Sequence, residues 1–197
     1  MKDSYRPPEY PRREPSFEGL TTRELGMNIA LASFSVLFLA TLIACLVIRS
    51  ETDNWRNAET PGLPLGLGLS TLLLVVLSAV LYRADRLLLR NAVDSFRFHL
   101  QAALGLGLVF LVTQGANTMS VLLGASLEGV RTLAIYSFFL LTGLHALHVL
   151  GGVVALLFLT GAREYSSSKR EGVVLVRRYW DFLLAVWLVM MAAFAIF

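Results

Sequence analysis

Five long apolar runs, each closed by charges or turn residues, limit what this chain can fold into. They are Met27–Ile48, Leu63–Tyr82, Phe98 to about Gln114 (running on towards Leu123), Leu133–Thr160 and Tyr179–Phe197. About twenty apolar residues in a helix span the ~30 Å hydrocarbon layer of a bilayer. With 56% hydrophobic and 16% charged residues, the chain is too apolar for an ordinary soluble domain. The expectation is an all-α, polytopic membrane protein: a five-helix bundle over residues 27–197, preceded by a polar, proline-rich cytoplasmic tail over 1–26. Within that tail Thr21 and Glu24 have the spacing of a capping box, which predicts a helix start there.

The connecting segments set the orientation. The tail and the segments 83–97 and 161–178 hold 14 of the 17 Lys and Arg; segments 49–62 and 115–132 hold 3. Cytoplasmic loops carry the excess of Lys and Arg, so the N-terminus is expected inside and, after five crossings, the C-terminus outside. The net charge of +3 is a property of these loops. It forms no single basic patch, so no nucleic-acid partner is expected. Segment 83–97, with Arg83, Arg86, Arg90 and Arg97, reads as helix extended beyond the lipid. Segment 115–132 reads as a small, polar connection, and 161–178 as a basic one containing Ser166–Ser168. The pattern LGLGL occurs at Leu65–Leu69 and Leu104–Leu108. Glycines inside apolar spans serve close helix packing, and no phosphate-binding glycine pattern completes. Cys45 is the only cysteine, which leaves no intrachain disulfide and predicts a buried thiol.

Polar residues inside the spans are few and therefore informative. His145 and His148 lie near the middle of Tyr136–Ala155, three residues apart and so on one helix face. They are expected to be neutral and hydrogen-bonded in the bundle or to head groups. A metal needs three or four ligands, and the remaining histidine, His99, lies at the start of the third span. Two imidazoles on one face cannot bracket a haem, and His99 is mismatched in depth with His145. No metal is expected. Asp181, at the start of the fifth span, reads as an interfacial carboxylate paired with Arg177 or Arg178; the alternative is a proton-collecting surface group. Gln114 and Asn117 read as polar groups near the end of the third span. No nucleophile–base pair or carboxylate pair forms a catalytic site.

Three stretches carry a family resemblance. Thr142-Gly143-Leu144-His145-Ala146-Leu147-His148-Val149-Leu150-Gly151-Gly152 resembles the TGxHxxHVxxG helix of subunit III of haem-copper oxidases, the cytochrome c oxidase subunit III family, in its short five-span bacterial form. Tyr179-Trp180-Asp181-Phe182 through Val186-Trp187-Leu188 is similar to that family's closing helix, and Leu104–Leu111 with Thr113-Gln114 to its LGxxFLxxQ helix. Four positions depart from the family pattern: Ser35 stands where a glutamate is usual, Asp181 and Leu184 where histidine and aspartate are, and Asn117 where a glutamate often is. The resemblance implies a non-redox subunit of a proton-pumping, oxygen-reducing complex in a bacterial plasma membrane. It implies haem and copper in partner subunits I and II and none in this chain. It further implies structural phospholipids in a cleft between the second and third spans, beside Arg83, Arg86 and Arg90. Two other readings stay open: an accessory subunit of nitric oxide reductase, and a haem b anchor using His99 with His145 or His148.

Overall fold

A computed structural model describes residues 21–196, except 54, 56–59, 61, 125, 127–131 and 162–169. The tail before Thr21 and the Ser166–Ser168 run fall outside the described residues. Among the described residues five helices follow in order: α1 Thr22–Glu51, α2 Gly66–Leu89, α3 Val93–Gly124, α4 Leu133–Thr160 and α5 Glu171–Ile196. The first four are long and apolar enough to cross a membrane along most of their length. The fifth opens with a charged turn and becomes apolar from Phe182. The chain is an all-helical membrane bundle.

The α1 start follows the local chemistry read from the sequence. Thr21 Oγ1 accepts from the Glu24 amide at 3.2 Å, and the Glu24 carboxylate accepts from the Thr21 amide at 3.3 Å. Two of the amides left open at a helix start are satisfied by this exchange.

Packing of α2 on α3 follows from a regular spacing, interrupted on α2 only where the neighbours Ala84 and Asp85 are both buried. On α2 the buried residues are Leu67, Ser70, Leu74, Leu77, Leu81, Ala84, Asp85 and Leu88. On α3 they are Phe96, Leu100, Ala103, Gly107, Phe110, Gln114, Asn117 and Val121. Alternating steps of three and four keep one stripe facing a neighbour, as in coiled coils and most membrane bundles. A tight turn at Asn91, whose φ is 54°, joins the two helices. They share the most extensive contact in the bundle. The second and third spans thus form a packed hairpin, where the family resemblance implied the walls of a lipid cleft.

One element limit takes the longer course that the sequence allowed, and another differs from the sequence expectation. α3 continues to Gly124, so the first ten residues of segment 115–132 are helix. Small residues such as Gly115 and Ala116 remain compatible with a helix whose polar side chains have partners within the bundle. α5 begins at Glu171, eight residues before Tyr179, because its first turns lie outside the lipid and carry Arg177 and Arg178.

One glycine of each LGLGL pair faces a neighbouring helix. A Cβ on Gly66 would lie 1.9 Å from Asn117 Oδ1, and one on Gly107 would lie 3.2 Å from Trp180 Cη2. Their companions Gly68 and Gly105 meet nothing within 4 Å. Gly152 of α4 completes a notch for the Trp180 indole, whose Cζ2 would sit 2.9 Å from an added Cβ. Here α3, α4 and α5 approach one another around one aromatic ring.

Candidate functional site

Polar side chains gather at three levels of the bundle. At the end that the loop charges assign to the cytoplasm, the organising residue is Asp85, whose side chain is only 2% exposed. Arg170 donates to it through Nε at 2.5 Å and Nη2 at 2.7 Å, a two-pronged fit of guanidinium to carboxylate. Arg177 Nη1 lies 3.3 Å from Oδ2, the oxygen that also accepts from Arg170 Nη2. The Asp85 carboxylate holds the Arg170 guanidinium above its ordinary pKa, through the hydrogen bond first and the charge second. The sequence reading passed over Asp85 because it sits among arginines. The signal was its register: Leu81, Asp85 and Leu88 share the inward stripe of α2.

The surrounding pairs join α1 to α5, which the Asp85 cluster in turn ties to α2. Arg178 reaches Glu24 at 3.7 Å, Arg23 reaches Glu171 at 3.5 Å, and the Thr21 hydroxyl donates to Glu171. Asp181 is therefore not the partner of Arg177 or Arg178. Both arginines are drawn to other acids, and exposed Asp181 accepts from the Ser78 hydroxyl at 2.5 Å. Arg83, Arg86 and Arg90 are exposed and line a groove of about 450 Å³ with Tyr82. Arg86 donates to the Tyr82 hydroxyl and lies 5.1 Å from its ring centroid; Arg177 lies 5.6 Å from the same centroid.

The histidines occupy the middle level. His145 is fully buried between Phe38 of α1, Phe110 of α3 and Trp187 of α5, at centroid distances of 6.2, 6.0 and 5.1 Å. Neither ring nitrogen has a hydrogen-bond partner among the described residues. The expected hydrogen bonds are thus replaced by edge and tilted contacts with aromatic rings. His148 does bond: its Nδ1 is 2.7 Å from the Leu144 carbonyl, and Phe34 and Phe38 pack on it at 4.5 and 5.1 Å. Tyr179 donates to the His148 carbonyl at 2.8 Å. The pair holds α1 against the bundle. His99 lies near the start of α3, its Nδ1 2.8 Å from the Ser95 carbonyl and its ring against Phe98. The three imidazoles do not converge, and the shell around His145 is already filled by rings. This arrangement does not fit a haem held by two of them.

The third level joins α2 to α3. Gln114 and Asn117 are buried, not placed at an exposed helix end. Ser70 lies 3.2 Å from both Gln114 Oε1 and Asn117 Nδ2. Nearby, the Trp187 indole donates to Thr71 at 2.9 Å. Cys45 is a buried thiol on α1.

No family model matches the chain. Whole-chain similarity is nevertheless present. Cytochrome c oxidase subunit 3 of Synechocystis sp. is 28% identical over 173 residues, covering 85% of this chain and 72% of the relative. The protein of the same name from Thermostichus vulcanus is 27% identical over 173 residues, 85% of this chain and 84% of the relative. That of Artemia franciscana is 28% identical over 189 residues, covering 89% and 72%.

Proposed function

Because the chain is a divergent member of the cytochrome c oxidase subunit III family, and so part of an oxidase complex with other subunits, we propose that it is the non-redox third subunit of a haem-copper terminal oxidase. The complex sits in a bacterial plasma membrane with this chain's N-terminus inside and its C-terminus outside. Subunits I and II carry the haem and copper and reduce oxygen to water. Subunit I is the main contact.

The observation that supports a scaffolding role is the state of His145. A histidine serving a redox centre must offer a nitrogen to it. Here the imidazole is spent on packing three other helices to α4. The chain's own task is to brace its partners, hold phospholipid and keep the cytoplasmic proton entrance supplied. Arg83, Arg86 and Arg90 face outward beside Tyr82, where each guanidinium near an acidic leaflet contributes about 1 kcal/mol of attraction. Asp181, exposed at the same end, adds negative surface charge that attracts protons.

Capture of the chain from native membranes by a C-terminal tag tests the assignment. Co-purification of a large haem-containing subunit with oxygen consumption is expected. Recovery with a nitric oxide-consuming enzyme would move the assignment to nitric oxide reductase, and a Soret band on the isolated chain would revive the haem anchor. Replacing Arg83, Arg86 and Arg90 together should lower retained acidic phospholipid; unchanged retention removes the lipid role. A tag on the last residue should react only from the outer face.

A further inference from the structure

His148 is 9% exposed, and its ring keeps one nitrogen unspent. Nδ1 lies 2.7 Å from the Leu144 carbonyl oxygen and so carries a hydrogen. Nε2 has no partner among the described residues and, unlike both nitrogens of His145, is not sealed inside the bundle. In an uncharged ring, the form that a membrane interior favours, this Nε2 is an acceptor. An atom open to an oxygen the size of water can be reached by a hydroxyl or amide group.

Helix register gives the surroundings of that atom. Successive residues of α4 turn by about 100°, so Leu140, Leu144, Leu147, Gly151 and Phe158 share one stripe. Leu140, Leu147 and Phe158 are 56, 64 and 79% exposed, and Gly151 is exposed between them. His148 borders this stripe, with Phe34 and Phe38 of α1 packed on its ring. A Cβ on Gly151 would meet only the Tyr179 hydroxyl, at 3.4 Å. The stripe is a row of large apolar side chains with a notch one turn from His148.

Depth and chemistry select the occupant. The apolar part of α4 runs from Leu133 to Thr160, which puts His148 about 2 Å from mid-membrane at ~1.5 Å per residue. Head groups begin ~15 Å away, and the bilayer core holds no water. Acyl chains carry no N–H or O–H. A metal asks for three or four ligands, and no group of three His, Cys, Asp or Glu that could hold one is present among the described residues. The backbone amides of a spanning helix are bonded within it, so a side-chain donor on such a helix remains. The Gly151 notch lets that helix come close.

We propose that the outward stripe of α4 receives a transmembrane helix of a neighbouring subunit, and that a hydroxyl, amide or indole donor on that helix bonds His148 Nε2. This deepens the oxidase reading and rests on it. Gly151 sets the distance of approach, and His148 sets the register along the membrane normal.

The test uses the whole complex taken from native membranes in mild detergent. Gly151→Leu fills the notch and should reduce co-purified partner subunit about tenfold. Gly105→Leu, at an exposed glycine of α3 with nothing within 4 Å, should leave recovery unchanged. His148→Phe keeps a ring between Phe34 and Phe38 but strands the partner's donor, so recovery should again fall about tenfold. His148→Gln, whose amide oxygen reaches as far as Nε2, should retain most of the partner. A photoreactive amino acid at Leu147 of the otherwise native chain should cross-link to a membrane-spanning peptide of another subunit. Wild-type recovery with Gly151→Leu, equal losses with His148→Phe and His148→Gln, or cross-links at Leu147 to lipid or quinol alone overturn the docking face and leave the oxidase assignment standing. A wild-type chain that comes down without any partner overturns both.

Discussion

The Asp85 end and the centre of the bundle each bury polar groups, but they do so with opposite chemistry. Around Asp85 the groups are charged and densely bonded, with two arginines on one carboxylate and further pairs on α1 and α5. Around His145 the neighbours are three aromatic rings. The difference follows from where water is. Near the head groups a charge can keep its counter-charge and part of its hydration, so helices can be joined by ions. Deeper in, an ion is expensive, and a helix is held by shape and ring contact. The two regions should therefore answer mutation differently.

The largest effect belongs to the charged end. Asp85→Asn removes the counter-charge from Arg170 and Arg177 while changing little in shape. Breaking a buried ion pair on one side leaves the other charge uncompensated, so unfolding in detergent should lose about 3 kcal/mol. Asp85→Leu combined with Arg170→Leu should recover part of that loss, because one stranded guanidinium is gone. If Asp85→Asn unfolds as the wild type does, the ion cluster is not what joins α2 to α5.

Next in size is a steric change among neutral polar groups. Gly66→Ala places a methyl group 1.9 Å from Asn117 Oδ1, so α2 or Asn117 must move. A cost of about 1–3 kcal/mol is expected from overpacking. The double variant with Asn117→Ser should restore most of the stability, since the amide that blocks the methyl is removed. Failure of that rescue would show that the Gly66 contact with α3 is set by backbone alone.

The centre should be more tolerant. His145→Phe keeps a flat ring in the aromatic shell and removes no hydrogen bond among the described residues. The phenyl ring is somewhat larger than the imidazole, so a cost of about 1 kcal/mol is expected, the low end of the overpacking range. A larger loss in a melting experiment would mean that a ring nitrogen is satisfied in the assembled membrane.

Much of this was legible in the sequence, and the part that was not has a physical cause. The apolar runs located all five helices, and the Thr21–Glu24 spacing located the first cap, because both signals are local. Gln114 and Asn117 read as helix-end groups because nothing local to α3 shows that both turn towards Ser70 of α2. Asp85 was missed, and Asp181 assigned the wrong partner, because the choice among several nearby arginines depends on helix rotation. The heptad stripe through Leu81 and Leu88 carries that information. The shell around His145 draws on α1, α3 and α5, so no stretch of α4 alone predicts it.

Asp181 offers the smallest effect and the finest test of the comparison. It lies on the same helix as Arg177, four residues on, yet it is exposed and bonded only to the Ser78 hydroxyl among the described contacts. Asp181→Asn retains an acceptor for that hydroxyl, so the melting temperature should hardly move: surface polar pairs contribute roughly 0–1 kcal/mol. Stability is thus uncoupled from charge at this position. A fall in turnover at high pH, where protons are scarce, would then report on surface charge and not on folding. Wild-type pumping and turnover in Asp181→Asn would remove the proton-collecting role while leaving the Asp85 cluster as the structural anchor of that end.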